Sequence, residues 1–484
     1  MKTDSAVVTI WLFISLLNFN LLAQKLPVDV EEAVKKRVAY GKSPSFAIGI
    51  VDKDGARYFN FGTTILDGAP VDEHTIYEIG SITKVFTATL LAQNVVDGKM
   101  KLDDPIKNYL PKNVKVPERG ANAITLGNLS DHTSGLPRMP NNFNPSNPAN
   151  PYADYSLDQL YSFLSNYELT RNIGDEFEYS NLAQGLLGQI LAQYAGTSYE
   201  DLMLKTIALP LNMQETKIKF SAQMKKNLAY GYNGIEQVEN WDSQALEGAG
   251  AIRSSTSDML KFLSANLALT KTPLRKAMDL TQQTRHEKAR NGKLRVGLAW
   301  LIEKSDIGDV FWHNGGTGGY RAFVGFAKEK GMGVVVLTNS DFGVDDLGFH
   351  LLNADRPLAQ VKPNMATELN KIISKKGVTE AEIFFRYVYS PKPEEYDFVE
   401  DEINSLGYKY LTNNNVLAAL TIFKINAAHF PNSWNAYDSY AEALLKNGQK
   451  ELSIESYKKS LELNPKNTNA IEVLKKLGVV LGRD

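Results

Sequence analysis

Two short apolar runs, Phe46–Val51 and Arg57–Gly62, flank an Asp54-Gly55 turn, a pattern that predicts a β-hairpin. From Ser81 to Val96 the apolar positions take helical spacing, and Asp97-Gly98 closes the segment. Helical patterns recur over 156–166, 181–195, 198–205 and 255–268, the last opening on the N-cap cluster Ser255-Thr256-Ser257-Asp258. Residues 137–151, PRMPNNFNPSNPANP, form a Pro- and Asn-rich loop. The pattern then changes. Leu294–Ile302, Val310–His313, Tyr320–Ala327 and Met332–Asn339 read as successive antiparallel strands, and Val334–Leu337 is apolar enough to be central. Strands at both ends of residues 30–350 thus enclose a helical middle. The expected fold class is α+β, with one antiparallel sheet formed by both ends of the domain and a helical subdomain beside it.

The flanks differ from this body. Lys2, the apolar run Ala6–Leu22 and then Ala23-Gln24 have the form of a signal peptide covering residues 1–23; an uncleaved anchor is the alternative. The first reading makes the protein exported, periplasmic or secreted in the bacterial manner, with no membrane span once the leader is removed. The hydrolytic chemistry described below falls in residues 24–355, and 356–395 reads as a proline-punctuated helical linker. In 396–484, Pro431 and Pro465 stand 34 residues apart. Upstream, Ile403, Leu406, Gly407, Tyr410, Ala419 and Phe423 map onto Tyr437, Tyr440, Ala441, Leu444, Ser453 and Tyr457 in the same register. This all-α region resembles tetratricopeptide repeats, which implies a possible protein or peptide partner. Every motif residue precedes residue 320, so loss of the repeats is expected to spare turnover of a small ester.

Composition narrows the function. The 484 residues suggest two or three domains, and 43% hydrophobic with 22% charged residues excludes wholesale disorder. Lys plus Arg number 53 and Asp plus Glu 55, a formal charge of −2 without a basic excess for nucleic acid. With no cysteine, disulfides, thiol nucleophiles and Cys-ligated metals are excluded. The six histidines show no metal-binding spacing, so neither metal nor cofactor is expected.

The residues that could carry chemistry begin with Ser81-Ile82-Thr83-Lys84. On a helix, Ser81 and Lys84 share a face, with Ser81 at the N-terminus where backbone N–H groups can hold an oxyanion. A desolvated Lys84 can take the serine proton. A second Ser-x-x-Lys, Ser456 to Lys459, falls on a repeat helix and reads as a solvated face. Tyr179-Ser180-Asn181 opens a helical pattern, and His313-Asn314-Gly315-Gly316 ends a strand. No G-x-S-x-G elbow is present, Gly41-Lys42-Ser43 lacks the leading glycine of a P-loop, and glycines 315–319 do not make G-x-G-x-x-G.

In this order, together with Leu129–Pro137 (LSDHTSGLP) and Gly248–Ser254 (GAGAIRS), the motifs resemble the Ser-x-x-Lys serine hydrolases of the class C β-lactamase type, which include DD-peptidases and esterases. The resemblance covers about residues 30–350. It implies Ser81 as nucleophile, Lys84 as its activating partner and Tyr179 as general base and proton shuttle, its phenol acidified by nearby cations. Asn181 would bond the acyl side of the substrate or Lys84, and the N–H groups of Ser81 and Gly316, with Gly315 beside them, would form the oxyanion hole. His132 reads as a structural residue capping a turn. Position 313 departs from the pattern, since many relatives carry Lys-Thr-Gly where this chain has His-Asn-Gly. A largely neutral His313 suits hydrogen bonding better than it suits a substrate carboxylate. The expected function is an exported serine hydrolase acting through a Ser81 acyl-enzyme on an ester or amide, esterase- or D-amino-acid-peptidase-like, with small-molecule or peptide substrates. The alternatives are a class C-like β-lactamase and a catalytically weak binding or sensor protein that works through its repeats.

Overall fold

The computed structural model of the chain describes residues 25–66, 68–289 and 292–480. The leader or anchor read over residues 1–23 lies outside these. No described helix is long and apolar enough to cross a membrane.

Eight strands build one antiparallel sheet. They are β1 (Ser45–Asp52), β2 (Gly55–Gly62), β3 (His286–Ala289), β4 (Leu294–Val296), β5 (Leu301–Ser305), β6 (Gly308–Gly316), β7 (Arg321–Ala327) and β8 (Met332–Thr338). Their spatial order is β2-β1-β8-β7-β6-β5-β4-β3, so the amino-terminal hairpin completes the sheet against the carboxy-terminal strand. Phe46 pairs with Thr338 and Val51 with Gly333. The unbroken apolar runs in β1 and β8 follow from burial on both faces. Phe46, Ile48, Val334 and Val336 enter one core with helices α1 (Val28–Ala39) and α5 (Asp345–Leu352). Ala47, Val335 and Leu337 enter the other, larger core with α2 (Thr83–Val96), α3 (Asn181–Ala195) and α4 (Thr256–Asn266). The two-residue period of a strand alone accounts for that division.

Four elements differ from expectation. Leu294–Ile302 is not one strand: it breaks at Gly297–Trp300, where Ala299 has φ +63° and donates its N–H to Ser130 O at 3.1 Å. Strand β3 was not expected, and β6 runs three residues past His313 so that both glycines of the motif lie on the strand. The segment after 356 is more than a connector. Helix α6 (Met365–Lys376) buries Met365, Ala366, Leu369 and Ile373 against Ile403, Leu406 and Ile422.

Among the described residues beyond residue 399 the regular elements are the helices α7 (Glu400–Thr412), α8 (Val416–His429), α9 (Trp434–Lys446), α10 (Lys450–Leu463) and α11 (Thr468–Lys476), each packed on the next. Small residues sit where the helices meet. A Cβ on Gly407 would overlap the Phe423 ring, and Ser453 Oγ donates to Ala441 O at 2.8 Å. This region is tied to the sheet-containing body by the Lys42–Asp397 ion pair and by a small hairpin, Tyr232–Asn233 against Glu236–Gln237. Ile235 at the hairpin's tip packs into the core shared by α6 and α7, and Glu402 lies against Gly234.

Candidate active site

Ser81 lies in a tight turn, Gly80–Ile82, that leads directly into α2. The turn is fastened to residues 252–254. Tyr77–Glu78 pairs with Arg253–Ser254, Ile79 N–H donates to Ile252 O at 3.1 Å, and Ile252 N–H donates to Thr83 Oγ1 at 3.1 Å. One helical turn inside, Lys84 is fully buried with Nζ 2.9 Å from Ser81 Oγ. The amine also donates to Ala249 O at 2.6 Å. Burial, and secondarily the charge of Arg138, holds Lys84 well below the ordinary lysine range, which favours the neutral amine. A neutral amine has two N–H donors and one lone pair. Bonding to the Ala249 carbonyl still leaves the lone pair for the hydroxyl of Ser81.

The ring of Tyr179 lies 4.8 Å from Lys84 Nζ and 4.7 Å from the His132 ring. Its position is set by its neighbours. His132, with φ +64°, accepts Glu178 N–H on its carbonyl at 2.9 Å and Ser180 N–H on Nδ1 at 3.1 Å. Ser180 then caps α3 by accepting Ala183 N–H at 2.9 Å. His132 therefore positions Tyr179 through the backbone on either side of it. Asn181, the first residue of α3, directs its side-chain nitrogen to Tyr152 Oη at 3.4 Å rather than to Lys84.

The end of β6 closes the other wall. A Cβ on Gly315 would overlap the carbonyl oxygen of Ile79 and stand 3.2 Å from Ser81 N, and one on Gly80 would stand 2.7 Å from Gly316 N. Glycine at both places lets the strand lie directly on the serine turn, which brings the N–H groups of Ser81 and Gly316 to the same rim. His313 is fully buried, donates Nδ1–H to Asn314 O at 2.6 Å, and has its ring 6.1 Å from that of Tyr179. Successive strand residues face opposite sides: His313 shares the face that sends Phe311 into the larger core, whereas Asn314, which borders the open cleft, directs its amide to Asp345 on the other face.

The cleft has two arms that meet at Ser81. One is lined by Tyr152, Asn181, Trp241, Leu246 and Ala249, the other by Arg138, Tyr179, Asn314 and Arg321. Tyr152, Trp241, Arg138 and Arg321 were not singled out in the sequence. Arg138 directly follows Leu136-Pro137 of the LSDHTSGLP segment; the others stand in loops or at a strand start with no pattern of their own. The second Ser-x-x-Lys is not a site: Ser456 Oγ donates to Tyr437 O and Lys459 pairs with Glu462. Among the described residues no cluster of His, Asp and Glu is suited to a metal ion.

Comparison with known proteins agrees with this arrangement. A beta-lactamase from Pseudomonas fluorescens is 27% identical over 350 residues, covering 65% of this chain and 93% of that protein. The D-alanyl-D-alanine-carboxypeptidase/endopeptidase AmpH of Escherichia coli K12 is 26% identical, covering 68% and 90%. Among solved structures, a class C beta-lactamase superposes with a TM-score of 0.60 at 24% identity, covering 68% of this chain and 96% of that one. A beta-lactamase/D-alanine carboxypeptidase from Pseudomonas syringae gives 0.59 at 22% identity, covering 68% and 98%. The beta-lactamase family model matches residues 30–354, a span that holds the whole sheet and every residue of the cleft. The chain therefore belongs to the beta-lactamase family of serine hydrolases.

Proposed function

We propose that the protein is an exported hydrolase that opens an ester or amide through an acyl-enzyme on Ser81, as an esterase or D-amino-acid peptidase. The observation that carries this reading is the buried Lys84, 2.9 Å from Ser81 Oγ and held toward its neutral form. In the reading, Ser81 Oγ attacks the carbonyl carbon as its proton passes to Lys84. The N–H groups of Ser81 and Gly316 stabilise the resulting oxyanion. Tyr179 gives its phenolic proton to the departing atom and regains one from Lys84, and water, activated by the same groups, releases the acyl chain. Export rests on the leader read over residues 1–23. The helices beyond residue 396, taken as tetratricopeptide-like, would offer a peptide partner a surface.

Hydrolysis of the β-lactam amide is the second reading, favoured by the names of the Pseudomonas relatives. A fluorophosphonate should label the protein on Ser81, and Ser81→Ala should lose both the label and turnover, by about 10⁴-fold or more. A panel of p-nitrophenyl esters, nitrocefin and D-Ala-D-Ala peptides separates the substrate classes. Efficient nitrocefin turnover would favour the second reading. Absence of label and turnover would leave a binding or sensor protein.

A further inference from the structure

Where α6 and α7 meet the sheet-containing body they leave a cavity of about 330 Å³, within the size range of small-molecule sites. It shares no lining residue with the cleft at Ser81. The space exists because three of its lining residues are glycines at turns. Gly41, Gly62 and Gly234 have φ of +71°, +83° and +57°, and none supplies a side chain to fill it. The apolar wall is Val38, Pro44, Leu66 and Ile235. The polar wall presents donors. Lys409 on α7 is exposed and makes no ion pair among the described residues. Lys371 on α6 gives two N–H groups to Ala39 O at 2.7 Å and Glu368 Oε1 at 3.0 Å, and keeps a third. Asn370 accepts Tyr410 Oη–H on Oδ1 at 2.9 Å, which leaves its amide N–H groups to donate. Tyr232, only 5% exposed, accepts Leu66 N–H on Oη at 3.2 Å and keeps its own proton for another acceptor. No acid is among the described lining residues; the nearby Glu368 and Glu402 accept from Lys371 and Asn364.

Donors with no acid of the lining to face them select an anion, and charge-assisted bonds to lysine are the strong part of that recognition. A carboxylate has about four lone-pair sites, which four donor side chains can fill. The apolar wall adds an apolar body to the anionic head, because burying such a body there removes it from water. We propose that this cavity is a second binding site, separate from the cleft, for a monocarboxylic acid with an aliphatic or aromatic body. The acid touches both parts of the chain. Pro44, Leu66 and Tyr232 belong to the sheet-containing body, whereas Asn370, Lys371 and Lys409 belong to the helices. Its binding therefore fastens the helices to the body and stabilises the folded protein by mass action.

The test titrates octanoate, octan-1-ol and octylammonium into the full-length protein by calorimetry. The three share an apolar body and differ in the head group. Octanoate should raise the melting temperature and bind about tenfold or more tighter than octan-1-ol, with octylammonium weaker still. Lys409→Gln and Tyr232→Phe should each weaken octanoate by about fivefold or more and leave octan-1-ol as it was. Added salt should erode the preference in the unaltered protein. Lys409 is exposed, so its replacement leaves the fold intact, and the melting temperature without ligand checks Tyr232→Phe. The octanoate titration is repeated on protein treated with a fluorophosphonate at Ser81 and should give the same affinity. Absence of saturable octanoate binding, equal affinity for octanoate and octan-1-ol, or unchanged octanoate affinity in both variants overturns the proposal. So does octanoate binding that is lost on treatment of Ser81, which would place the acid in the cleft.

Discussion

Lys84 is held by the carbonyl oxygen of Ala249, which accepts a 2.6 Å hydrogen bond from Nζ. The same short segment gives the Gly248 carbonyl to Thr87 Oγ1 at 2.7 Å. Two consecutive carbonyls therefore fix the first turns of α2 and leave the amine lone pair for Ser81. Lys84→Met should cut kcat/KM by about a thousandfold or more, some 4 kcal/mol of barrier, with Ser81 intact. Its pH signature follows from linkage. Because the native pKa is lowered, the unfolded chain carries a proton on Lys84 that the native protein lacks, from that pKa up to the ordinary lysine range. Wild-type stability therefore rises with pH across the window, and Lys84→Met lacks this contribution. Urea midpoints of the two proteins on either side of pH 9 check the sign, wild type gaining on the variant at the higher pH.

Gly315→Ala tests the contact between β6 and the serine turn. The added methyl would overlap the Ile79 carbonyl, a backbone atom that cannot swing aside. The strand must retreat and take Gly316 N–H away from Ser81 N–H. We expect kcat to fall by about a hundredfold or more, near 2.7 kcal/mol, with a lower melting temperature. Gly343→Ala, where a Cβ would meet nothing within 4 Å, is the control and should do neither.

Glu247 opens the short helix whose next two carbonyls hold Thr87 and Lys84. Burial, and then the charge of Glu200, pushes its carboxyl up to about 7, with Lys219 opposing in part. A raised acid favours the native state below about 4.5 and loses that contribution as pH rises through about 7. Glu247→Gln should therefore be more stable than wild type at pH 8, by about 2–3 kcal/mol, and no more stable at pH 4. Denaturant titrations at the two pH values provide the comparison; equal differences at both would contradict the assignment.

The hairpin at 232–237 joins the helices to the cleft. Ile235 at its tip is partly covered by α6 and α7, and its outgoing strand continues to Asn240, which donates to Tyr320 Oη at 2.9 Å, and to Trp241 on the cleft wall. A chain ending near residue 360 should still label at Ser81 and cleave a small ester. With Ile235 uncovered, it should melt earlier, be cut sooner by protease between 230 and 241, and show a several-fold higher KM for bulky acyl groups. Retention of full affinity for bulky acyl groups in a folded truncation would show that Trp241 needs no support from the helices.

What could be read from the sequence was local. The β1–β2 hairpin, α2 and the strands β7 and β8 each have a periodicity that their own residues impose. Ser81, Lys84 and Tyr179 could be found because their side chains mark them, and the fold brings all three together. The acceptor for Lys84 could not be found so directly, since a backbone carbonyl has no sequence signature; GAGAIRS pointed to the segment without giving it a task. Gly297–Trp300 was invisible for the opposite reason. Its residues are apolar and continue the strand pattern, while the break depends on Ala299 N–H reaching Ser130 O, a partner far away in the chain. His313 stands on the Tyr179 side of its strand, but its full burial depends on packing that the motif does not encode.

The pairing of β1 with β8 also governs how the chain can acquire its structure. Phe46 and Ile48 meet Thr338 and Val336 across nearly three hundred residues, and until β8 is available the apolar strand β1 has only β2 beside it. An uncovered apolar edge is a place where chains stick to one another. Contacts this distant in sequence also make closure slow, because a long loop must be ordered before the pairing stabilises anything. The catalytic body therefore assembles late and as a unit. The period before that closure, rather than any state of the finished molecule, is when this protein is most exposed to aggregation.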